Sequence, residues 1–305
     1  TSERLGVKRG LRNPDGTGVL AGITNVSSVI GYEKLPEGTI RPISGRLVYR
    51  GIDIDTLAAE ADKNDRFMFE EVVWLLLFGA LPTQEQYARF CKLIDEHREL
   101  PKGFADDMIM NSPSPNIMNK LQRCVLGLYS YDEHAEDLTL ENILNQSINL
   151  IASMPTMMVN AYQMKRRYYD KQSMFFHLPK PGQTVYTISD PREVILKQRA
   201  RHLAYEKGFE EEYNMLCSIE RLAPGIFAEE KGSTKPVCAN VDLFSGLIYN
   251  MLGISEDLYT PLFAIARVPG WCAHRVEEVV FANRIIRPAY KYLGVRQKYK
   301  PIEER

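Results

Sequence analysis

No apolar stretch in the sequence is long enough to cross a bilayer. The strongest run, Val72–Phe78, falls far short of the roughly 20 residues that a spanning helix needs. Neither sign of charge is in excess: 38 lysines and arginines face 39 aspartates and glutamates, a net charge of −1. That balance points to neither a nucleic acid nor a charged membrane surface as partner. Cysteine is sparse. Cys91, Cys124, Cys217, Cys238 and Cys272 are odd in number, far apart and form no Cys-x-x-Cys pair, which excludes a disulfide framework and a zinc ribbon and reads as reduced thiols of an intracellular protein. The five histidines, His97, His134, His177, His202 and His274, are isolated from one another, so no metal-ligand spacing is present. No Gly-x-x-x-x-Gly-Lys-Ser/Thr occurs and no Gly-x-Gly-x-x-Gly follows a strand, which removes the usual phosphate and dinucleotide loops. The opening residues, Thr1–Gly10, carry no apolar segment of the kind that directs secretion. A cytoplasmic protein is expected.

What remains is an ordinary globular composition. The chain has 305 residues, 45% of them apolar and 25% charged, enough to bury a sizeable core in one large domain or two smaller ones. Residues 1–52 are rich in glycine, serine, threonine and β-branched side chains and read as two or three short strands, with Pro42 and Gly45 as breaks. Beyond Asp53 the texture is helical. Phe69, Val72, Val73 and Leu76 keep helical spacing in a segment apolar on all sides, so this helix is expected to be buried all round. Thr83 and Gln86 form a capping box for a helix reaching about His97. Further helices are expected over 116–128, over 139–170 with a break at Pro155, over 209–222, over 242–252, and from Thr260 to about Asn283 with a kink at Pro269-Gly270. Asp190-Pro191-Arg192-Glu193 opens another, with Asp190 as cap, Pro191 in the first turn and Glu193 completing a capping box. The charged tail, Arg296–Arg305, reads as frayed.

Some positions carry chemistry, each with a plain structural alternative. Lys165-Arg166-Arg167 beside Tyr168 and Tyr169 reads as a solvated helix end. Arg192 sits in the first turn of a helix, where a cation is unfavourable unless it has another task such as holding an anion. Asp242 in Asn240-Val-Asp-Leu-Phe-Ser-Gly246 is either a helix cap or a positioned acid. Arg267 lies in the apolar stretch Phe263–Trp271. If buried there it needs a carboxylate partner, from the protein or from a ligand. Arg284 and Arg287 close the helical region, as solvated ends unless something recruits them.

Taken in order, several segments resemble the citrate synthase family, in its bacterial forms. They are Gly45-Arg-Leu-Val-Tyr-Arg-Gly-Ile-Asp53, Glu71–Gly79 with Leu81-Pro-Thr83, Asp190-Pro-Arg192, Asn240–Gly246, Thr260–Arg267 with Gly270-Trp271 and Ala273-His274, and Arg284-Ile-Ile-Arg-Pro288. The resemblance implies a homodimer that condenses acetyl-CoA with oxaloacetate to give citrate and CoA, with no metal and no cofactor. It implies that Asp242 is the base that takes a methyl proton from acetyl-CoA, that Arg192 and Arg267 hold substrate carboxylates, and that Arg287 is donated into the partner's site. The chemistry suits the residue types. Guanidinium forks hold carboxylates bidentately, and a carboxylate base can deprotonate so weak a carbon acid only if the enolate oxygen is stabilised at the same moment.

The residues for that last task are missing. The family's histidine in Gly-Pro-x-His-Gly-Gly has no counterpart, and its Gly-His-x-Val-Tyr motif reads Gly182-Gln183-Thr184-Val185-Tyr186 here. A third histidine, from an earlier helix, is also unmatched, and His177 fits none of the three positions. The family carries on the order of a hundred more residues between Pro181 and Val185, a small domain's worth. Either the chain lacks this segment outright, or the sequence passes across it and joins its flanks. A contiguous chain would keep half a site and leave apolar faces bare, which favours the second reading and makes Gln183 no evidence of a lost histidine.

The expected fold is mainly α: a large helical domain with a short N-terminal β segment, and a partial small helical domain. Residues 1–180 and 240–305 would form the large domain and 181–239 the remnant of the small one. Two alternatives stay open: 2-methylcitrate synthase, which uses propionyl-CoA in the same fold, and a non-catalytic helical dimer if the segment is truly absent.

Overall fold

In a computed structural model, the residues described are 22–169, 189–231, 238–281 and 290–305. Helices dominate. The β elements come first: β1 (Gly22–Thr24), β2 (Ser27–Lys34), β3 (Ile40–Tyr49) and β4 (Ile52–Asp53). β2, β3 and β4 form an antiparallel sheet in that order. Pro42 and Gly45 do not break β3, as the sequence suggested. The strand runs through both because the β2–β3 register shifts between Ile30 and Tyr32, and Pro42 then pairs opposite Tyr32.

Nine α-helices follow among the described residues: α1 (Ile54–Lys63), α2 (Phe69–Phe78), α3 (Gln84–Glu96), α4 (Ile117–Gly127), α5 (Leu140–Tyr169), α6 (Pro191–Lys207), α7 (Glu210–Lys231), α8 (Asp242–Met251) and α9 (Tyr259–Phe281). The α3 capping box is present: Gln86 N–H donates to Thr83 Oγ1 and Thr83 N–H donates to Gln86 Oε1. α7 is longer than the sequence suggested and continues through Pro224. The main core joins α2, α3, α4, α5 and α9 through residues such as Leu76, Phe90, Leu121, Met157 and Val268. A second, smaller core joins α6, α7 and α8 through Ala200, Ala204, Tyr213, Phe244, Leu247 and Met251. α8, expected to belong with the large domain, packs against α6 and α7.

The tail is not frayed. Strand β5 (Tyr290–Tyr292) pairs in parallel with β1. Gln297 N–H donates to the Gly51 carbonyl at 2.9 Å, and Gln297 Nε2 donates to the carbonyls of Arg50 (2.8 Å) and Gly79 (3.0 Å). Gly51 makes this approach possible. Its φ is +91°, and a Cβ there would lie 2.0 Å from the Val295 carbonyl oxygen.

The last side chain holds the strongest tie. α2 is largely buried, as expected, but at its heart is Glu71, 0% exposed. Arg66 pairs with one of its carboxylate oxygens and Arg305 with the other, the latter at 2.5 Å. Arg305 also donates to the carbonyls of Pro82 and Lys300. A buried carboxylate between two guanidinium groups is costly to disturb, because losing a partner leaves charge without compensation. At the other end of the main core, Glu277 of α9 plays a similar part. It accepts from Thr24 Oγ1 and from Asn25 N–H (2.6 Å) and pairs with His274, which ties β1 to α9. Burial opposes its charge, but the hydrogen bonds from His274, Thr24 and Asn25 prevail and hold it below the usual glutamate value. Replacement of Arg305 by alanine is expected to destabilise the protein by about 2 kcal/mol, since Arg66 still compensates part of the Glu71 charge. Denaturant unfolding measures this, and an unchanged midpoint would mean that the tail contributes nothing.

Candidate active site

α6 and α8 build the candidate site. Ala200 and Ala204, one turn apart on α6 and both 0% exposed, remove side-chain bulk where the two helices meet. Contacts advance in the same direction along both. Glu193, near the start of α6, acts on Cys238, just before α8. One turn further on, Lys197 Nζ lies 5.6 Å from the centre of the Phe244 ring. The helices are therefore parallel, with their N-termini at the same end. That end presents the positive poles of two helix dipoles, and it is where Arg192 and Asp242 both lie.

Arg192 is held in place rather than left to swing. Asp190 caps α6 by accepting the Arg192 backbone N–H at 3.0 Å, and its two carboxylate oxygens also take Arg192 Nε (3.1 Å) and Nη2 (2.8 Å). Asp190 is 1% exposed, so the grip is sheltered from solvent. The expected capping box does not form. Glu193 turns inward instead of reaching back to the cap, and one of its carboxylate oxygens has no hydrogen-bond partner. Burial first, then the neighbouring charge of Glu220, pushes its carboxyl up to about 7, against the opposing pull of Lys197.

Asp242 occupies the first turn of α8 and is half-buried. It is not the cap residue. Asn240 lies just before it, accepting the Asp242 backbone N–H at 3.2 Å and donating Nδ2 to Asp242 Oδ2 at 2.9 Å. One carboxylate oxygen is thereby oriented by a side-chain amide. Burial, with the Asp242 charge, raises the hydroxyl of Tyr249, two turns along the helix, and Tyr249 packs against Tyr259 and Phe263 of α9.

Arg267 departs from expectation. It is exposed, not buried in an apolar helix, and its guanidinium lies 5.4 Å from the centre of the Phe263 ring. The α9 face that carries it is open, so no buried carboxylate is required. Tyr249, near the end of α8 away from Asp242, packs its ring against Phe263 of the helix that carries Arg267. Arg284 and Arg287 lie outside the described residues, as do His177 and Gly182–Tyr186. Among the described residues no three His, Cys, Asp or Glu side chains cluster as a metal site requires, and no helix is long and apolar enough to cross a membrane. The sequence singled out Arg192 and Asp242 but passed over the residues that aim them. Asp190 was read only as a cap and Asn240 not at all, because an i, i+2 carboxylate–guanidinium fork has no distinctive spacing.

A family model described as "Citrate synthase, C-terminal domain" matches residues 16–180 and 176–289. The chain belongs to the citrate synthase family. A citrate synthase from Synechocystis sp. is 42% identical over 94% of this chain and 93% of its own length, and one from Haloferax volcanii is 26% identical over 86% and 93%. A 2-methylcitrate synthase from Shewanella oneidensis matches only 41% of this chain, at 36% identity. Among solved structures, citrate synthase from Pyrobaculum aerophilum superposes with a TM-score of 0.68 over 97% of each chain at 22% identity. The Thermoplasma acidophilum enzyme, in a ternary complex with carboxymethyl coenzyme A and oxaloacetate, gives 0.66 over 92% and 96% at 18% identity. The mainly α fold is that of these citrate synthases.

The family match also locates the break. It falls into two pieces that meet at 176–180, beside the Pro181–Val185 join. The alignment to the Synechocystis citrate synthase spans 391 positions, more than the 305 residues of the whole chain. That relative therefore carries a long segment with no counterpart here. Asp190→Ala is expected to cost about 1 kcal/mol of stability through the lost cap, measured by thermal unfolding. Unchanged stability would mean that the cap is dispensable.

Proposed function

We propose that this citrate synthase family member works through Asp242 as base, with Arg192 and Arg267 holding substrate carboxylates. Acetyl-CoA gives up a methyl proton to the Asp242 carboxylate, and the resulting enol carbon attacks the ketone carbon of oxaloacetate. Hydrolysis of the thioester then releases citrate and CoA. The observation that carries this reading is the parallel packing of α6 and α8, which gathers a fixed guanidinium and an amide-oriented carboxylate at one end. The Asp190 fork presets Arg192 for a planar, bidentate partner. The Asn240 amide occupies one oxygen of Asp242 and aims the other. The substrates are acetyl-CoA and oxaloacetate, with no metal and no bound cofactor in the reaction. A homodimer in the cytoplasm, with Arg287 crossing into the partner's site, completes the reading.

The electrophilic help for the enolate would come from the segment that relatives carry at the 176–180 join. Support comes from α7. Met215, Ile219, Leu222, Ile226 and Phe227 are all exposed and recur at helical spacing along one face. An apolar stripe of that length is what a removed packing partner leaves behind. We infer that the segment exists in the protein and covers this stripe.

Asp242→Ala is expected to lower turnover by about a thousand-fold or more while leaving the dimer intact on sedimentation. Loss of the dimer together with activity would reduce Asp242 to a structural role. The intact mass decides the segment. A value larger than 34.9 kDa by a small domain is expected, together with citrate synthesis detected through the free thiol of CoA. A value at 34.9 kDa with no turnover would leave a non-catalytic helical dimer.

A further inference from the structure

The α6–α8 contact contains a group that this mechanism does not use. Glu193 follows Arg192 directly and is 3% exposed. Its carboxylate has an oxygen that no described residue hydrogen-bonds. The ionisable groups acting on it from every packed element are Asp190 and Lys197 on α6, Glu220 on α7 and Cys238 before α8. The lysine is already engaged by Glu220, and Asp190 is engaged by Arg192. Glu193 is thus a buried acid among two other acids, with its nearest cations committed elsewhere. In such a place the charged form is disfavoured.

This has a consequence for Arg192. While Glu193 is neutral, Asp190 is the carboxylate that fixes the guanidinium fork, and the fork keeps its attraction for an incoming carboxylate. Ionised, Glu193 adds a second negative charge within electrostatic reach of Asp190, the carboxylate that grips the fork. The added charge opposes the approach of a dianionic substrate to that end of α6.

We propose that Glu193 is a positioning residue for Arg192, neutral when the site binds a dicarboxylate, so that oxaloacetate binding is coupled to proton uptake at Glu193. The proposal rests on the reading of Arg192 as a substrate-carboxylate ligand. Linkage fixes its sign. If the proton favours the ligand, the ligand favours the proton by the same factor, and affinity falls as pH rises. A carboxyl raised from 4.5 to about 7 in the folded protein also makes the folded state bind more protons than the unfolded one across that window. The stability contributed by Glu193 is therefore fully present below the ordinary glutamate value and is lost as pH rises toward about 7.

Calorimetric titration of the full protein with oxaloacetate, near neutral pH in two buffers of different ionisation enthalpy, tests this. The wild type is expected to take up a fraction of a proton on binding, and its Kd is expected to rise by about three-fold or more between about pH 6 and about pH 8. In Glu193→Gln both the proton uptake and the pH dependence should vanish. Glu193→Leu serves as a second variant that leaves no buried amide should the first fail to fold. Binding by the wild type without proton uptake overturns the proposal. So does uptake that persists in the variants, or a flattened stability profile with unaltered binding, which would make Glu193 purely structural. Arg192→Ala separates the two readings. If oxaloacetate binds that variant as it binds the wild type, the assignment of Arg192 falls, whereas a weakened Arg192→Ala with unchanged Glu193 variants rejects only the role of Glu193.

Discussion

The close, parallel packing of α6 on α8 is the constraint from which the site follows. Two alanines on one α6 face let the helices meet without large side chains between them. Because the helices run in the same direction, their N-termini coincide, and so do their positive dipole ends. Arg192 and Asp242 are about fifty residues apart in sequence but share this end. Antiparallel packing of the same two helices would separate them by the length of a helix of this size, about 15–25 Å.

Buried carboxylates do four different jobs in this fold, and the difference lies in what surrounds each. Glu71 is compensated by two arginines and anchors the tail. Glu277 is hydrogen-bonded by Thr24 and Asn25 and joins the first strand to the last long helix. Asp190 is satisfied by a helix terminus and a guanidinium at once, and so aims Arg192. Of the four, Glu193 has a buried oxygen that neither a hydrogen bond nor an ion pair from the described residues reaches. The first three are engaged by hydrogen bonds or guanidinium groups, and the hydrogen bonds to Glu277 hold its carboxyl below the usual value. The fourth lacks that support, and burial raises its carboxyl to about 7.

The break at 176–180 and the exposed stripe on α7 both fit the proposed additional segment. The relative's alignment runs longer than this chain, and α7 carries a row of exposed apolar side chains.

Much of this was readable in the sequence. Apolar spacing located α2, turn chemistry located the Thr83 capping box, and ordered motifs singled out Asp242 and Arg192, since each of these signals is local. The sequence did not reveal that the tail docks, because Arg305 meets Glu71 across most of the chain and a terminal charge looks solvated until its partner is known. Nor did it show that Glu193 turns inward, since the same Asp-Pro-Arg-Glu string fits a capping box equally well, or that Arg267 is exposed, since an apolar neighbourhood in sequence does not say which side of the helix faces the core. Local propensity and periodicity determine which residues become helix and where each helix starts. Which charges are buried, which are paired and which helix ends meet depend on contacts between distant segments, and only the tertiary structure decided those.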